Sequence, residues 1–414
     1  MKISIFAPKL VDEISIESIL NNDFLTKPRL SPFSDNSIYF LSELSKRILE
    51  SDNIKSFAEL VALAYWLRKA NLFSVINDFK RGIFNEDILT PRGLAFHVAP
   101  SNVDSIFIYS WALSLLAGNS NIVRVTQNLN PQLELLLKII RELMIDSKWH
   151  EISERNLIIT YPHDNEINKY ISAAADLRII WGGDDTINSI KSLPSKPTTK
   201  DISFADKFSY TVINCSEYVK LNDSEKLKLA NNFFNDSYWF NQMACSSPRF
   251  VFFAGDQNKC EGASKDFWEY LRNELDRKNL TDSIDVAMEK LVYLYESFSL
   301  AENAFSSVKI NKNNPTVARI GINEIRRFNE TCGGGFFFEC FIENIFDLKK
   351  IVTHKDQTLS YFGFNKELIN EFISEVNGVG IDRVVPIGQA LNFSPTWDGY
   401  YLLNELTKRV SIIY

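Results

Sequence analysis

The stretch 93–126, GLAFHVAPSNVDSIFIYSWALSLLAGNSNIVRVT, contains three segments of different period. Positions 93–99 predict a strand, 104–116 a helix and 121–126 a second strand. Asn130 followed by Pro131 predicts the start of another helix reaching about residue 145, because proline suits the first helical position and lacks the N–H that would go unpaired there. The alternation continues with a strand at 156–160, a helix at 164–175, a strand at 177–181 and a helix at 185–191. Parallel strands need a crossover between them, and helical crossovers cover the sheet. The repeated strand–helix unit therefore predicts an α/β fold with a parallel sheet covered on both faces.

Upstream of residue 90 the reading is helical. Ile38, Leu41, Leu44 and Ile48 recur on one helical face, and Ser56 with Glu59 makes a capping-box pattern ahead of the apolar run 60–66. Downstream, a second alternation starts with a strand at 209–214, passes a helix near 224–234 and reaches a strand at 250–254. Helices are expected at about 262–275 and 283–298, and Asn377-Gly378-Val379-Gly380 marks a sharp turn. At 414 residues the chain exceeds what one compact core usually holds, so two domains are expected.

Composition narrows the function classes. The chain carries 45 Lys and Arg against 52 Asp and Glu, a formal charge of −7, with no long basic run, so no nucleic-acid partner is expected. The first residues turn acidic too soon for a signal peptide. No segment reaches the ~18 uninterrupted apolar residues that a membrane span needs, the best candidate being 106–117 with two serines. Five scattered cysteines do not form a disulfide pattern, which implies a cytoplasmic protein with reduced thiols. Four histidines without metal-ligand spacing predict no metal site, and His97, on the strand before residue 100, reads as a structural histidine.

Several residues have a chemical reading beside a plain one. Cys245 lies in Asn241-Gln-Met-Ala-Cys-Ser-Ser-Pro-Arg249, just before an apolar strand; it is either a small buried residue or a nucleophile that must be held as thiolate. Asn102, in Pro100-Ser-Asn102, is either a helix cap or an amide donor to an oxyanion, such a donor being worth about 3 kcal/mol. Arg124, near the end of a strand, is a surface charge or a grip for a ribose or its phosphate. In Trp181-Gly182-Gly183-Asp184 a strand runs into paired glycines at a helix start, which is a plain turn or a seat for a phosphate, and Asp184 mildly opposes the second reading. No Gly-x-Gly-x-x-Gly fingerprint is present.

Taken in order, Pro-x-Asn before a helix, Gly118-Asn119 before a strand with Arg124, strand-Gly182-Gly183 and then Cys245 resemble the aldehyde dehydrogenase superfamily. Within it, the stretches 64–71 (AYWLRKAN), 96–103 (FHVAPSNV), 181–184 (WGGD), 244–248 (ACSSP), 357–363 (QTLSYFG) and 382–390 (DRVVPIGQA), with Trp397-Asp398-Gly399, resemble the LuxC-like acyl-CoA reductases of bacterial bioluminescence. The resemblance runs from about residue 36 to the C-terminus. It implies two doubly wound α/β domains with a small oligomerisation extension: 1–208 mainly cofactor-binding, 209–388 mainly catalytic, 389–414 a C-terminal return and oligomerisation segment. It also implies Cys245 as nucleophile, Asn102 as oxyanion donor with the backbone N–H of Cys245, and Trp181, Gly182 and Gly183 beneath the cofactor phosphates. Arg124 takes the position of a ribose-contacting lysine, which favours NADPH because a guanidinium suits a 2'-phosphate.

The departures are equally specific. Where hydrolytic aldehyde dehydrogenases carry Glu-Leu-Gly-Gly-Lys, this chain has Ser203-Phe-Ala-Asp-Lys207, so an acyl-enzyme would lack the glutamate that activates water. The Glu-Ile-Phe-Gly-Pro motif has no convincing match, Glu343-Asn-Ile-Phe346 being only a loose one. The expected activity is NADPH-dependent reduction of an acyl-CoA or equivalent thioester to an aldehyde through an acyl-cysteine. A small-molecule thioester, a possible acyl-activating or acyl-transferring partner enzyme and a homo-oligomer are the expected company. Oxidation of a free aldehyde, and a non-catalytic scaffold with the same fold, remain as alternatives.

Overall fold

The computed structural model describes residues 1–413 except 53, 84–86, 101–105, 311–313 and 329. The chain divides into two compact units, Met1–Asp206 with Phe393–Tyr414, and Lys207–Asn392.

In the first unit, strands β1 (Lys2–Ala7) and β2 (Val11–Ser15) precede a short β3 (Ile88–Pro91). Then come β4 (Leu94–Val98), β5 (Ser120–Arg124), β6 (Asn156–Thr160), β7 (Leu177–Trp181) and β8 (Lys200–Phe204). The main sheet has the order β2-β1-β6-β5-β4-β7-β8. The segment β6-β5-β4-β7-β8 is parallel throughout. Strand neighbours alternate between two cores: Ala95, Val123, Ile158 and Ile179 face one layer of helices, whereas Phe96, Ile122, Ile159 and Ile180 face the other. That two-sided burial is why these strands read as continuous apolar runs. The crossover helix Ile106–Leu116 is buried along its whole length.

The N-terminal hairpin departs from the helical reading of the first 90 residues. β1 joins β6 antiparallel, and β2 joins β1. Its signal was a period of two, with Ile3, Ile5 and Ala7 buried between exposed or half-buried neighbours. The capping box at Ser56 also fails: the helix Ala58–Trp66 starts from Phe57 with no side-chain cap, and Glu59 instead accepts a hydrogen bond from Gln132 Nε2 at 2.6 Å. Asn130 caps Pro131–Ile145 as read, accepting from Leu133 N at 2.8 Å.

Residues 393–414 belong to this first unit and do not stand apart from it. Thr407–Val410 pairs antiparallel with β3. Buried Asn119 ties both ends together: its Oδ1 accepts from Arg92 N at 2.8 Å and Gly93 N at 3.0 Å, and its Nδ2 donates to Leu406 O at 3.0 Å. The Gly118-Asn119 pair is thus a structural clasp. Gly118 has φ +83°, and a methyl group there would meet Leu30 O at 2.2 Å.

The second unit contains β9 (Phe208–Asn214), β10 (Phe250–Ala254), β11 (Phe305–Ile310), β12 (Thr316–Ile320), β13 (Phe336–Ile342), β14 (Asp356–Phe362) and β15 (Arg383–Pro386). They form a sheet of order β11-β12-β13-β10-β9-β14-β15, parallel except for the edge strand β11. Phe250, Phe252 and Phe338 pack on one face and Val251, Phe253 and Phe337 on the other. The aromatic-rich segment after residue 331, left without an element by the sequence reading, supplies the interior strand β13, between β12 and β10.

Candidate active site

In the first unit, the sheet order reverses at β4, which lies between β5 and β7 although β7 comes three strands later in the chain. Ligands in open α/β sheets bind at the carboxyl ends of the strands beside such a switch point. The chain after β4 leads into Asn102, which lies outside the described residues. The turn Trp181-Gly182-Gly183 leaves β7 at the same edge, and Arg124 ends β5.

These three positions differ in what they offer. The Arg124 guanidinium lies over the Tyr161 ring, 4.8 Å from its centroid, and its buried Nε has no hydrogen-bond partner. A buried, unmatched donor on a cation at the carboxyl edge fits an anionic group such as a ribose phosphate. The glycine turn fits less well. Gly183 precedes the helix Asp184–Lys191, whose first turn already carries Asp184 and Asp185, and Asp206 Oδ2 lies 3.2 Å from where a Gly183 side chain would begin. Those carboxylates already match the positive helix end and oppose a phosphate. The Trp181 indole is committed to the core, stacked on Phe204 at 3.8 Å and donating to Ser110 Oγ at 3.4 Å. Only its backbone remains at the edge.

His97 is structural. It is fully buried, with Nε2 3.0 Å from Asn121 Oδ1 and Nδ1 3.2 Å from Ser110 Oγ. The Asn121 amide nitrogen is spent on Asn119 O and Asn156 Oδ1, so Nε2 carries the proton and donates. Burial lowers its pKa to about 4, so the ring is neutral near pH 7. Among the described residues no three His, Cys, Asp or Glu side chains converge to hold a metal ion.

Cys245 lies in the second unit, at the amino edge of the parallel sheet, on the loop that leads into β10. It is partly buried, as is Cys332, whereas Cys215, Cys260 and Cys340 are fully buried. Burial pushes the Cys332 and Cys340 thiols up to about 12. The helix Asp223–Tyr238 ends just before the loop, and Phe240, Asn241 and Gln242 follow with φ of 58°, 51° and 63°. Successive left-handed residues other than glycine are strained, and the surroundings must hold them.

Gln242 does this. Fully buried, its amide donates to Pro248 O at 3.0 Å and Phe336 O at 2.9 Å and accepts from Gly335 N at 2.9 Å. The segment Gly333–Gly335 fits against the loop because it lacks side chains: Gly334 N donates to Asn241 O at 3.0 Å, and a methyl at Gly333, where φ is +67°, would meet Asn241 O at 2.5 Å. Ser209 Oγ donates to Cys245 O at 2.6 Å and accepts from Thr358 N at 3.2 Å, tying the thiol's own backbone to β9 and β14. Sequence reasoning missed Gln242, Ser209 and the three glycines. Three consecutive glycines before an apolar strand were the available signal, since such a run admits another chain closely.

Ser203 lies within β8 opposite Ile180, its hydroxyl buried and unpartnered. Asn344 caps the short helix Ile345–Lys350 after β13 in a capping box with Asp347, whose carboxylate also accepts from Glu343 N at 3.0 Å. The loose match to the ribose-binding motif is therefore a helix cap.

Two doubly wound units, one with a topological switch point and the other with a buttressed thiol loop, make up an aldehyde dehydrogenase-like fold. Solved structures carry the same fold. An NAD-dependent benzaldehyde dehydrogenase from Corynebacterium glutamicum aligns with a TM-score of 0.64 and 12% identity over 99% of this chain and 97% of its own. A glyceraldehyde-3-phosphate dehydrogenase from Methanocaldococcus jannaschii, complexed with NADP, aligns with a TM-score of 0.64 and 14% identity over 100% and 98%. The chain belongs to the acyl-CoA reductase (LuxC) family, which it matches over residues 81–409. A long-chain acyl-protein thioester reductase of Aliivibrio fischeri is 22% identical over 307 residues, 72% of this chain but 59% of that protein. The namesake enzyme of Photorhabdus laumondii is 26% identical over 170 residues, 40% of this chain and 33% of its own. The matched region thus spans well under two thirds of these relatives.

Proposed function

We propose that the protein reduces thioester-linked acyl groups to aldehydes, with Cys245 as the nucleophile. The observation that carries this reading is the partly buried Cys245 on a loop clamped by Gln242 and Ser209, in a chain of the acyl-CoA reductase family. The thiolate attacks the carbonyl carbon of an acyl-CoA or equivalent thioester, and the negative oxygen is met by the Cys245 backbone N–H and, in this reading, the Asn102 amide. Collapse expels the donor thiolate, which takes up a proton, and leaves the acyl group on sulfur. A bound NADPH supplies the hydride. The resulting thiohemiacetal breaks its C–S bond, its hydroxyl proton is lost, and the aldehyde leaves while Cys245 is restored.

Arg124 would hold the ribose phosphate of the cofactor, which supports NADPH over NADH. Gly182 and Gly183 would bring backbone close to it, with Trp181 as their buried anchor. Ser203, unlike a glutamate, cannot activate water, so the acyl-enzyme waits for hydride and does not hydrolyse. The five free cysteines suit a reducing cytoplasm, and the fold suits a homo-oligomer. The names of the relatives favour a long acyl chain and a protein thioester as donor, with CoA thioesters as the simpler surrogate.

Incubating the protein with radiolabelled acyl-CoA tests this directly. Wild-type chain should retain label on Cys245 without NADPH, release acid slowly, and form aldehyde when NADPH is added. Cys245→Ala should lose labelling by about 10⁴-fold or more while still binding NADPH. Retained label in that variant refutes the nucleophile; rapid acid release from wild type refutes the role given to Ser203.

A further inference from the structure

The helix Ile284–Leu300 of the second unit has two unlike faces. Its inner face carries buried Lys290, Leu294 and Ser297, and Val286 lies 2.6 Å from where a Gly334 side chain would begin. Its outer face is apolar yet uncovered: Ile284 is 83% exposed, Met288 54%, Val292 50% and Tyr295 66%, with Leu291 at 39%. These positions recur every three or four residues and so form one continuous stripe along the helix. Single exposed apolar side chains are ordinary, but a contiguous stripe marks a surface that binds something.

The charges beside the stripe say what. Asp285, Glu289 and Glu296 are exposed along one margin of it. The helix has one basic residue, Lys290, and it is turned inward and paired with Asp282 at 2.5 Å. Among its own residues the helix therefore turns outward apolar side chains and carboxylates and no basic group. We propose that this stripe docks a second protein presenting an apolar ridge flanked by lysine or arginine, for which a basic amphipathic helix is the simplest form. A second copy of the chain, paired symmetrically, would place the acidic margins together. A bilayer surface rich in anionic lipid would meet the same carboxylates with like charge. The inner face of this helix rests on Gly334, whose N–H donates to Asn241 of the thiol loop. The occupant thus sits one helix away from the segment that steadies Cys245. The inference does not depend on the proposed reaction, since docking requires no chemistry at Cys245.

The test uses the full chain and fluorescent synthetic peptides read by anisotropy. A helical peptide of leucine and lysine should bind, more weakly at high salt, and the same peptide with glutamate for every lysine should bind at least tenfold more weakly. Val292→Lys, which interrupts the stripe, and Glu289→Lys, which reverses the margin, should each weaken the lysine peptide about tenfold. Both sites are exposed, so thermal melting should not change. The proposal is overturned if neither peptide binds, if both bind equally, or if both variants bind like wild type. It is also overturned if Val292→Lys changes the oligomeric state, which would make the stripe a self-interface, or abolishes binding to phosphatidylglycerol vesicles.

Discussion

The two sheets carry the residues proposed for the reaction at opposite ends of their parallel strands. In the first unit Arg124 and the Gly182-Gly183 turn lie at the carboxyl edge, where strands run into helices and the backbone itself offers N–H groups. In the second unit Cys245 lies at the amino edge, where chain enters the strands from preceding helices. There the loop is held by side chains: Gln242 through three hydrogen bonds and Ser209 through two. A carboxyl-edge site is shaped mostly by backbone and tolerates many sequences. An amino-edge thiol needs specific anchors, and its failure should follow from their loss.

The largest expected contrast is in pH dependence, because His97 in the first unit and Asp236 in the second are buried groups whose displaced pKa values have opposite consequences between pH 4 and 7. The folded first unit keeps His97 neutral down to about pH 4, while the unfolded chain protonates it near pH 6.5. The unfolded state therefore binds the extra proton between those values, and stability falls by about 3 kcal/mol as pH drops through that window. In the second unit Asp236 is almost fully buried, and burial pushes its pKa up to about 7 although Gly388 N, Ala390 N and Arg383 pull it down. Its two oxygens accept from those N–H groups at 2.6 and 2.9 Å, and the Arg383 guanidinium holds carbonyls of the same turn. Here the folded state binds the extra proton, so the Asp236 contribution is present below about pH 4 and is lost as pH rises to 7, by up to about 4 kcal/mol. Urea titrations from pH 4 to 7 on His97→Gln and Asp236→Asn should show the two slopes flattening in opposite directions. Parallel changes would remove the contrast.

Next comes the anchor of the thiol loop. Gln242→Ala removes the side-chain donor to Pro248 O and Phe336 O and the acceptor for Gly335 N and should cost about 2–3 kcal/mol in urea unfolding. Acylation of Cys245 should slow by more than any unfolded fraction explains, with NADPH affinity unchanged; an unaltered acylation rate would show that the loop holds itself. At the other edge, Arg124→Ala should raise the dissociation constant of NADPH about 30-fold, or about 2 kcal/mol, and leave NADH nearly unaffected. Fluorescence titration of both nucleotides decides it, and equal losses would remove the phosphate assignment. The smallest effect expected is on thiol labelling. At neutral pH a maleimide should modify Cys245 several times faster than Cys332, whose thiol burial pushes up to about 12. Faster loss of Cys332 would reverse the ranking.

Much of the fold was legible because its signals are local. Continuous apolar runs bounded by caps, such as 156–160 and 177–181, gave strands that the structure places at those residues. The hairpin at Lys2–Ala7 was missed because a period of two over six residues is short and its partner β6 lies far along the chain. The Ser56 cap was misread because Glu59 is held by Gln132, a tertiary contact that local pattern cannot contain. Cys245 was legible as a residue, but the anchors around it were not: Gln242 meets Phe336, and Ser209 meets Cys245, across long separations in sequence.

By itself the sequence determined the α/β class and the strand–helix alternation between residues 93 and 191, since these depend on periodicity and residue chemistry within short windows. Only the tertiary structure decided that Trp181 and Asn119 serve the core, that Arg124 keeps an unmatched donor, and that Cys245 stands on a clamped loop at the amino edge. Those outcomes depend on which distant backbone groups are brought within hydrogen-bond reach, and the folded chain alone fixes that.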